Sequence, residues 1–561
     1  MSTPVDPHSD EADWLGSFET HRVTNQVPPS DGRNLFDGDP ILIAMLEELL
    51  EPETEDDLYR AGAYWGSADA RDIARLANEH TPVLRTHDRS GRRLDTVEFH
   101  PAYHALMSRS VAAGLHASIW EEPEGVAGAQ HRLRAARLYL TSQTECGHLC
   151  PLTMTNASLA ALATSADLFQ DWQPAVTSRR YDYRFLPVGE KAGATLGMGM
   201  TEKQGGTDVR ANRTVAEWSA ADEAYRLIGH KWFLSAPMSD GFLVLAQASE
   251  GLSCFLVPRW RPDGTINAIQ FQRLKDKLGN RSNASAEAEF LGASGFLVGQ
   301  EGRGLRTILE MVTLTRLDCA VASAGLMRAA VVEAVHHARY RSVFETRLIE
   351  QPIMQRVLAD MALDAAGAIA LSMRLAEAFD KAADDDLEQT YARLLTPVTK
   401  YWVCKTAPRL AYEAMECLGG NGYVEESMMP RIYREAPVNA IWEGSGNVMC
   451  LDVMRVAQRM PEAIDEVLSD IAGELGDSVA AEIGALRAAL TDGNPDEASL
   501  RGHTERLALL AAAAALRRHA PRVVSDAFLS ARVHAPWRAS YGSLDTRYDA
   551  AALTDFIVPD L

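Results

Sequence analysis

Three things are scarce in this chain of 561 residues, and each scarcity excludes a class of protein. Its seven cysteines are odd in number and include no C-x-x-C pair, which argues against a disulfide scaffold or a zinc site and favours reduced thiols in the cytoplasm. No run approaches the ~20 apolar residues of a membrane span. The acidic start Met1–Asp13 lacks the pattern of a secretory signal, so we expect residues 1–20 to form a disordered tail.

A metal centre is also not expected. Glu333 and His336 form a single E-x-x-H motif, and a di-iron site in a helical bundle needs two such motifs with further carboxylates. We therefore place both residues on a helix surface.

Excess positive charge is missing too, because the formal net charge is −22. That balance argues against a surface that is positive all round, but it allows a local basic patch. Residues 501–547 contain eight arginines against three acids. The candidates for contact with the phosphates of an anionic partner are Arg501, Arg506, Arg517, Arg518 and Arg522. The alternative is that these arginines pair with acids of neighbouring helices.

The hydrophobic pattern divides the chain into helices, strands and helices again. Helical spacing predicts helices within 40–188, for example Ile41–Leu50 and His104–Leu115. Short strands are predicted at 225–233, 241–247, 252–258 and 286–290, and long helices at 305–340, 352–382 and 387–418. An alanine-, glutamate- and arginine-rich helical region follows Pro461. The predicted fold is therefore α+β, with a compact antiparallel β domain between helical domains.

A glycine-rich segment at the start of the β region, Gly197–Val209 (GMGMTEKQGGTDV), suggests a nucleotide cofactor. Glycine lets backbone N–H groups approach a flat or anionic ligand, and a hydroxyl adds a donor to a phosphate oxygen. A glycine-rich β-turn explains the segment equally well. It is not a dinucleotide fingerprint of the Rossmann type, because the third glycine is missing.

Four further segments occur in the order and at the separations of the acyl-CoA dehydrogenase family of flavoproteins, which the chain resembles. They are KWFLS at 231–235, RSVF at 341–344, LGGNGY at 418–423 and IWEGSGN at 441–447. KDKLGNRSNAS at 275–285 and MCLDV at 449–453 resemble the AidB branch, the bacterial proteins of the adaptive response to DNA alkylation. The resemblance runs from about His21 to the C-terminus.

The resemblance implies a multidomain fold with a helical extension. The expected parts are an N-terminal α-helical domain (21–195), a middle antiparallel β domain (196–295), a C-terminal four-helix bundle (296–456) and an extra helical region (457–561), the candidate DNA-binding part. Ordinary acyl-CoA dehydrogenases lack most of this extension, whereas the AidB branch has it.

The resemblance also implies FAD and a shared site. The residues expected to line the flavin are Met200, Thr201, Gly206, Thr207, Trp232, Phe233 and Ser235, with Ser445 and Asn447; Trp232 has plain β-core as its alternative. Those expected to hold the adenosine pyrophosphate from a neighbouring subunit of a homotetramer are Arg341, Phe344, Gln351, Gly419 and Gly420. Glu345 replaces the family's glycine, so we expect weaker binding of the adenine end or an altered turn.

Glu443 stands where most acyl-CoA dehydrogenases carry their catalytic base. A carboxylate in an apolar slot has its pKa raised by desolvation and becomes a better base near neutral pH. By the same resemblance Arg316 is the candidate for binding CoA, and a salt bridge with Asp318 is the alternative. AidB-like proteins are thought to have narrow CoA access and weak activity towards isovaleryl-CoA.

Two functions therefore compete. The first is an FAD-dependent acyl-CoA dehydrogenase for a short or branched acyl chain. The second is a DNA-binding flavoprotein that shields DNA or destroys alkylating agents. A nitroalkane oxidase of the same fold is less consistent with the sequence, because that relative uses aspartate as its base and this chain has Glu443.

Overall fold

The computed structural model describes residues 20–121, 128–491, 496–535, 541, 544 and 547–559. The predicted tail, apart from Thr20, lies outside these residues. So do Arg538 and the predicted helix break at 492–495.

The part of the described chain that precedes the β domain, up to residue 195, is mainly helical, as predicted. The helices are α1 (Pro40–Leu46), α2 (Pro52–Trp65), α3 (Ala68–Glu79), α4 (Pro101–Ala112), α5 (Gln130–Ser142), α6 (Leu149–Leu162) and α7 (Ala166–Val176).

The expectation of helices throughout this region is wrong at residues 83–98, which form the antiparallel hairpin β1 (Val83–His87) and β2 (Arg93–Glu98). Arg93 donates to the carbonyl of Phe271 at 3.0 Å, and Asp95 accepts from the Phe271 amide at 3.1 Å. The hairpin therefore docks on the β domain, a tertiary contact that a local pattern does not reveal.

The middle of the chain forms a seven-stranded sheet in the order β3-β5-β4-β6-β7-β9-β8. Its strands are β3 (Leu196–Gly199), β4 (Val215–Ser219), β5 (Ala224–Ser235), β6 (Gly241–Ala248), β7 (Gly251–Pro258), β8 (Ile269–Leu274) and β9 (Ser285–Val298). The four predicted strands are confirmed as β5, β6, β7 and β9, and the other three strands of the sheet, β3, β4 and β8, were not predicted. Most pairs are antiparallel, as expected, but β3 runs parallel to β6.

Strand β6 shows how the sheet is buried on both faces. Phe242 and Val244 enter one core with other strand residues, whereas Leu243 and Leu245 enter a second core with the helices that cover the sheet. Because alternate residues of a strand point to opposite faces, a continuous apolar run such as this one indicates a doubly covered strand.

Three long helices follow the sheet: α8 (Gly304–Tyr340), α9 (Pro352–Lys381) and α10 (Asp386–Cys417). A two-residue-per-strand hairpin, β10 (Ser342–Val343) and β11 (Thr346–Arg347), lies between α8 and α9. Helix α8 is long and apolar enough to cross a membrane, but 83% of its apolar window is buried within the protein. It is the core helix of the bundle.

The E-x-x-H pair of α8 is not on the surface. His336 is buried, and its Nε2 lies 2.8 Å from the carbonyl of Pro28. Glu333 accepts a hydrogen bond from Ser30 and pairs with Arg71. The two residues fasten the start of the described chain to the bundle, so the surface interpretation is wrong.

The remaining helices complete one continuous hydrophobic core with the bundle. They are α11 (Gly420–Tyr423), α12 (Met429–Glu435), α13 (Gly446–Arg459), α14 (Pro461–Leu475), α15 (Ala480–Leu490), α16 (Leu500–His519), α17 (Arg522–Phe528) and α18 (Ala550–Ile557). Residues 507–516 of α16 are buried, and a Cβ on Gly367 of α9 would lie 2.5 Å from the ring of Phe528. The extension therefore packs tightly against the bundle.

Candidate active site

Glu443 lines a cavity between helix α6, helix α8 and the loop that precedes α13. Most of the wall is apolar or contains sulfur. The lining residues are Leu138, Cys146, Leu149, Cys150, Thr153, Met154, Ser235, Thr315, Asp318, Cys319, Ala322, Glu435, Asn439, Trp442 and Glu443. The predicted base thus shares one cavity with Ser235 of the predicted flavin site and with Cys150, Thr153 and Met154 of α6.

The backbone of Glu443 is strained. Its φ is +57°, a left-handed conformation that side chains other than glycine rarely adopt, and Gly444 follows at φ +102°. Two cations hold this turn: Arg316 Nε donates to the carbonyl of Glu443 at 3.0 Å, and Lys400 Nζ donates to that of Gly444 at 2.7 Å. Such strain costs about 1–3 kcal/mol and persists only where surrounding contacts enforce it, most often at functional sites.

The carboxylate of Glu443 is held by one short contact. Thr315 Oγ1 lies 2.9 Å from Glu443 Oε2 and 3.0 Å from the carbonyl of Val312, and its single proton is shared between these two acceptors. Burial raises the pKa of Glu443, although the Thr315 hydroxyl and the nearby Lys400 and Arg316 favour the charged form. A carboxylate with a raised pKa in an apolar cavity suits proton abstraction near neutral pH.

Arg316 is buried and forms an ion pair with Asp452 at 2.9 Å. Asp318 instead pairs with Arg134, whose two terminal nitrogens lie 2.6 and 2.8 Å from its oxygens. The expected alternative, a salt bridge between Arg316 and Asp318, is therefore wrong, because Arg316 pairs with Asp452 instead. The role of Arg316 in binding CoA stays a prediction.

The glycine-rich segment is fastened to the sheet by a buried ion pair. Lys231 Nζ lies 2.8 Å from Glu202 Oε1, and both side chains are fully buried. Burial pushes the pKa of Glu202 up, but the Lys231 ammonium and hydrogen bonds from Arg213 and Thr214 hold that pKa below its usual value. Lys231 of KWFLS, a segment that carried the resemblance, and Glu202 of the glycine-rich segment therefore have a structural role.

The predicted flavin-lining residues Met200, Thr201 and Trp232 lie together. The amide of Trp232 donates to the carbonyl of Thr201 at 2.8 Å, and Ser235 is the register partner of Met198 on β3. Trp232 is only half buried, so it is not plain core. Phe233 is 45% exposed.

The same region suits a nucleotide cofactor. Among the described residues, the hydroxyls of Thr201 and Thr207 have no hydrogen-bonding partner in the protein. A Cβ on Gly206 would lie 2.4 Å from Thr201 Oγ1, so only glycine fits there. Helix α13 begins after Ser445 without a side-chain cap, which leaves its first N–H groups available to an anion.

The residues expected to hold the adenosine pyrophosphate lie elsewhere in the chain. Arg341 follows the last residue of α8, and at 1.5 Å per residue it is roughly 39 Å along the helix from Thr315. Gln351 precedes α9, Phe344 is 93% exposed, and Gly419 and Gly420 have open space around them. None of these five residues lines the cavity of Glu443 within this chain.

The arginines proposed for DNA contact differ from one another. Arg518 pairs with Glu474, and both Arg517 and Arg522 lie within ion-pair distance of Asp526. These pairs match the alternative that neighbouring acids neutralise the patch. Arg501 and Arg506 are exposed and make no ion pair with a described residue.

Two residues that hold the Glu443 loop were not singled out from the sequence. Thr315 adjoins the predicted Arg316 and carried a weak signal by position. Lys400 lies 44 residues before Gly444 in the middle of α10, and nothing in its local sequence marks it. Its role depends entirely on how α10 packs.

Sequence profiles of three known domains match the chain in succession. The N-terminal domain of the adaptive response protein AidB matches residues 25–183, the acyl-CoA dehydrogenase middle domain 197–292, and the acyl-CoA dehydrogenase C-terminal domain 302–458. The AidB protein of Escherichia coli K12 is 50% identical over 80% of this chain and 82% of its own length. Acyl-CoA dehydrogenase family member 11 of Caenorhabditis elegans is 33% identical over 75% of this chain and 70% of its own.

Solved structures of other proteins share the fold of this chain. The crystal structure of ACDH-11 of Caenorhabditis elegans with C11-CoA superposes with a TM-score of 0.84 at 27% identity, covering 93% of this chain and 95% of that one. A protein named Bd2924, in its apo form, gives 0.81 at 27% identity, with 89% and 100% covered.

The chain belongs to the acyl-CoA dehydrogenase family, and it is an FAD-dependent oxidoreductase. Within the family it is of the AidB type, which the matching N-terminal domain and the 50% identity both show. The predicted family, fold class and cofactor are thereby confirmed.

Proposed function

We propose that this protein removes two hydrogens from a short or branched acyl-CoA, with Glu443 as the base. The observation that carries the proposal is the strained, clamped and buried Glu443 in an apolar cavity beside Ser235. The carboxylate takes the proton from the carbon next to the thioester carbonyl. Bound FAD supplies the acceptor for the hydride that leaves the β-carbon, so the electron pair passes from substrate to cofactor.

The wall of the cavity supports an acyl substrate. Leu138, Leu149 and Met154 offer hydrocarbon and thioether surface, and Asp318 on the same wall is neutralised by Arg134. A relative of the same fold was crystallised with C11-CoA, which supports an acyl-CoA ligand without fixing its chain length.

The test is an anaerobic titration of the purified protein with isovaleryl-CoA, butyryl-CoA and longer acyl-CoAs, followed by flavin bleaching. At least one should bleach the wild-type flavin, and Glu443→Gln should bind flavin but not bleach. An unbleached wild-type flavin across the whole panel would contradict the proposal.

We also propose that a second subunit completes the flavin site within a homotetramer. The separation of roughly 39 Å along α8 between Thr315 and Arg341 supports this. Residues that far apart in one chain cannot both contact the same end of one bound FAD. The exposed rings of Phe344 and Tyr423, 93% and 80% exposed, suit a partner surface. Light scattering of the holoprotein should give four chains; a monomer that retains FAD would contradict the shared site.

The alternative function is binding of duplex DNA in the alkylation response, in a cytoplasmic protein. Similarity to AidB supports it, and so do the exposed Arg501 and Arg506. The ion pairs of Arg517, Arg518 and Arg522 reduce the positive charge available. Binding through phosphates falls steeply with salt, so Arg506→Ala should weaken binding to duplex DNA at low salt. Unchanged affinity in that variant would place any DNA site elsewhere.

A further inference from the structure

Arg501 of the extension reaches the loop that follows the base. It stands in the first turn of α16, and its Nε lies 3.2 Å from the hydroxyl oxygen of Tyr401 on α10. Its Nη1 lies 3.4 Å from Asn447 Oδ1, in the first turn of α13. The sequence grouped Arg501 with other arginines of the extension as a basic patch. The fold instead places Arg501 in contact with Asn447, which follows Glu443 by four residues in the chain.

A second cation, Lys405, lies near the same aromatic ring, that of Tyr401. Lys405 Nζ is 5.8 Å from the centroid of Tyr401, and the Arg501 guanidinium is 6.0 Å from it. Gly446 lets the lysine approach, because a Cβ there would lie 3.1 Å from Lys405 Cε and 3.4 Å from its Nζ. Two positive side chains therefore converge on the start of α13.

This arrangement lacks its counter-charge. The N-terminus of a helix carries a partial positive charge, so the two exposed cations beside it repel it slightly, and an anion bound between them would be stabilised by all three. Neither Lys405 nor Arg501 forms an ion pair within the described part of the chain. Glu505 acts on Arg501 only at longer range. By contrast, Arg517 and Arg518 of the same helix α16 are paired with acids.

We propose that Arg501 and Lys405 bind the pyrophosphate of FAD, so that the C-terminal extension supplies part of the cofactor site. Ser445 and Asn447, which the family resemblance assigns to the cofactor, adjoin both cations. The free N–H groups of α13 add donors, and charge-assisted hydrogen bonds to phosphate are among the strongest available. The extra positive charge would also offset Glu345, the acid expected to disfavour the adenine end.

The experiment compares FAD with riboflavin, which has no phosphate, in the full-length protein. The variants are Arg501→Ala and Lys405→Ala, with Arg459→Ala as the matched control, because Arg459 is an exposed arginine at the opposite end of α13 and makes no ion pair with a described residue. FAD release from the holoprotein and rebinding of each flavin to the flavin-free protein are followed by flavin fluorescence. We expect about tenfold weaker FAD binding or more in the first two variants, unchanged riboflavin binding, and wild-type behaviour of the control.

Phosphate could instead come from CoA or from DNA, and the same variants separate these sources. Unchanged FAD affinity in Arg501→Ala and Lys405→Ala overturns the proposal, whether acyl-CoA or DNA binding falls instead. An equal loss of riboflavin overturns it too, since that result means a misshapen site. If either alanine variant is poorly folded, Arg501→Lys replaces it: this variant keeps the positive charge, so it should bind FAD more tightly than Arg501→Gln, and equal affinities would overturn the proposal. Flavin binding needs no acyl-CoA turnover, so failure of the proposed dehydrogenase activity would leave this inference standing.

Discussion

The two ends of helix α8 differ sharply. Near its start, Thr315 and Arg316 are buried and contact the loop of Glu443, and Arg316 is paired with Asp452. Just beyond its end, Phe344 and Glu345 form an exposed turn in which both residues adopt left-handed conformations, at φ +50° and +67°.

This difference shows which part of the proposed cofactor site one chain forms alone and which part it leaves open. At the start of α8, Arg316, which holds the loop of Glu443, has its charged partner Asp452 in the same chain. At the end, the turn of Phe344 and Glu345 presents an open surface, which suits contact with another subunit. Variants at the first end should therefore alter chemistry and stability, and variants at the second should alter cofactor retention and assembly.

The largest effect is expected from Glu443→Gln. Removing a general base typically costs 10²- to 10⁴-fold in rate, so flavin reduction by acyl-CoA should fall by about that factor while flavin stays bound. Stopped-flow reduction under anaerobic conditions measures it. Glu462→Gln, which removes an exposed acid from the first turn of α14, is the control; equal rates in the two variants would contradict the role of Glu443.

The same variant should be more stable than wild type at neutral pH. Burial raises the pKa of Glu443 above its ordinary value of 4.5, so the folded state binds this proton more tightly than the unfolded state. Stability from this group is thus fully present below pH 4.5 and is lost as pH rises through the folded pKa. The gain of Glu443→Gln in thermal unfolding should accordingly disappear at acid pH.

The next effect is on stability. Asp452→Asn leaves Arg316 and Arg393 without their shared carboxylate, and breaking a buried ion pair costs about 3–5 kcal/mol. Urea unfolding measures the loss. Asp465→Asn breaks the exposed pair with Arg487 and should cost about 1 kcal/mol or less. If Asp452→Asn lost no more stability than Asp465→Asn, the ion pairs of Asp452 with Arg316 and Arg393 would contribute little to the stability of the fold.

A smaller effect is expected at Thr315. Valine removes the hydroxyl that stabilises the charged form of Glu443, so the pKa of Glu443 should rise further. The rate of flavin reduction increases as the base loses its proton, and this rising limb should move to higher pH. Thr313→Val is the control, because the Thr313 hydroxyl bonds its own helix at Leu309. Coincident pH profiles for the two variants would contradict the contact.

The smallest effect is expected at the exposed turn. Glu345→Gly relieves a left-handed conformation and should stabilise the protein by about 1 kcal/mol. Glu345→Ala removes the charge but keeps the strain, so comparing thermal unfolding and FAD retention in the two variants separates the causes. No gain in stability from glycine would show that the turn is unstrained.

Much of the fold was accessible from local patterns. The long helices α8, α9 and α10 and the strands β5, β6, β7 and β9 have strong periodicity, and periodicity is a property of neighbouring residues. The hairpin at 83–98 was missed because its strands are short and are stabilised by contacts with Phe271, far away in the chain. His336 was misplaced for the same reason: its partner, Pro28, is 308 residues distant.

The site divides in the same way. Motifs located Glu443, Trp232 and the glycine-rich loop, since each is a short run of unusual composition. The buried pair of Lys231 with Glu202 and the clamp of Lys400 on Gly444 join segments with no sequence relation. Single charged residues carry no signal of their own, so these contacts become visible only when the chain is folded.

The amino-acid sequence by itself determined the order of helical and strand regions, the family and the candidate for the base, because these are written in spacing and in short motifs. Only the tertiary structure decided which cation meets which carbonyl or acid. It separated the paired Arg517 and Arg518 from the unpaired Arg501, and it placed Arg501 beside Asn447. The physical reason is that electrostatic and hydrogen-bond energies depend on distances of a few ångströms between groups that the chain order leaves far apart.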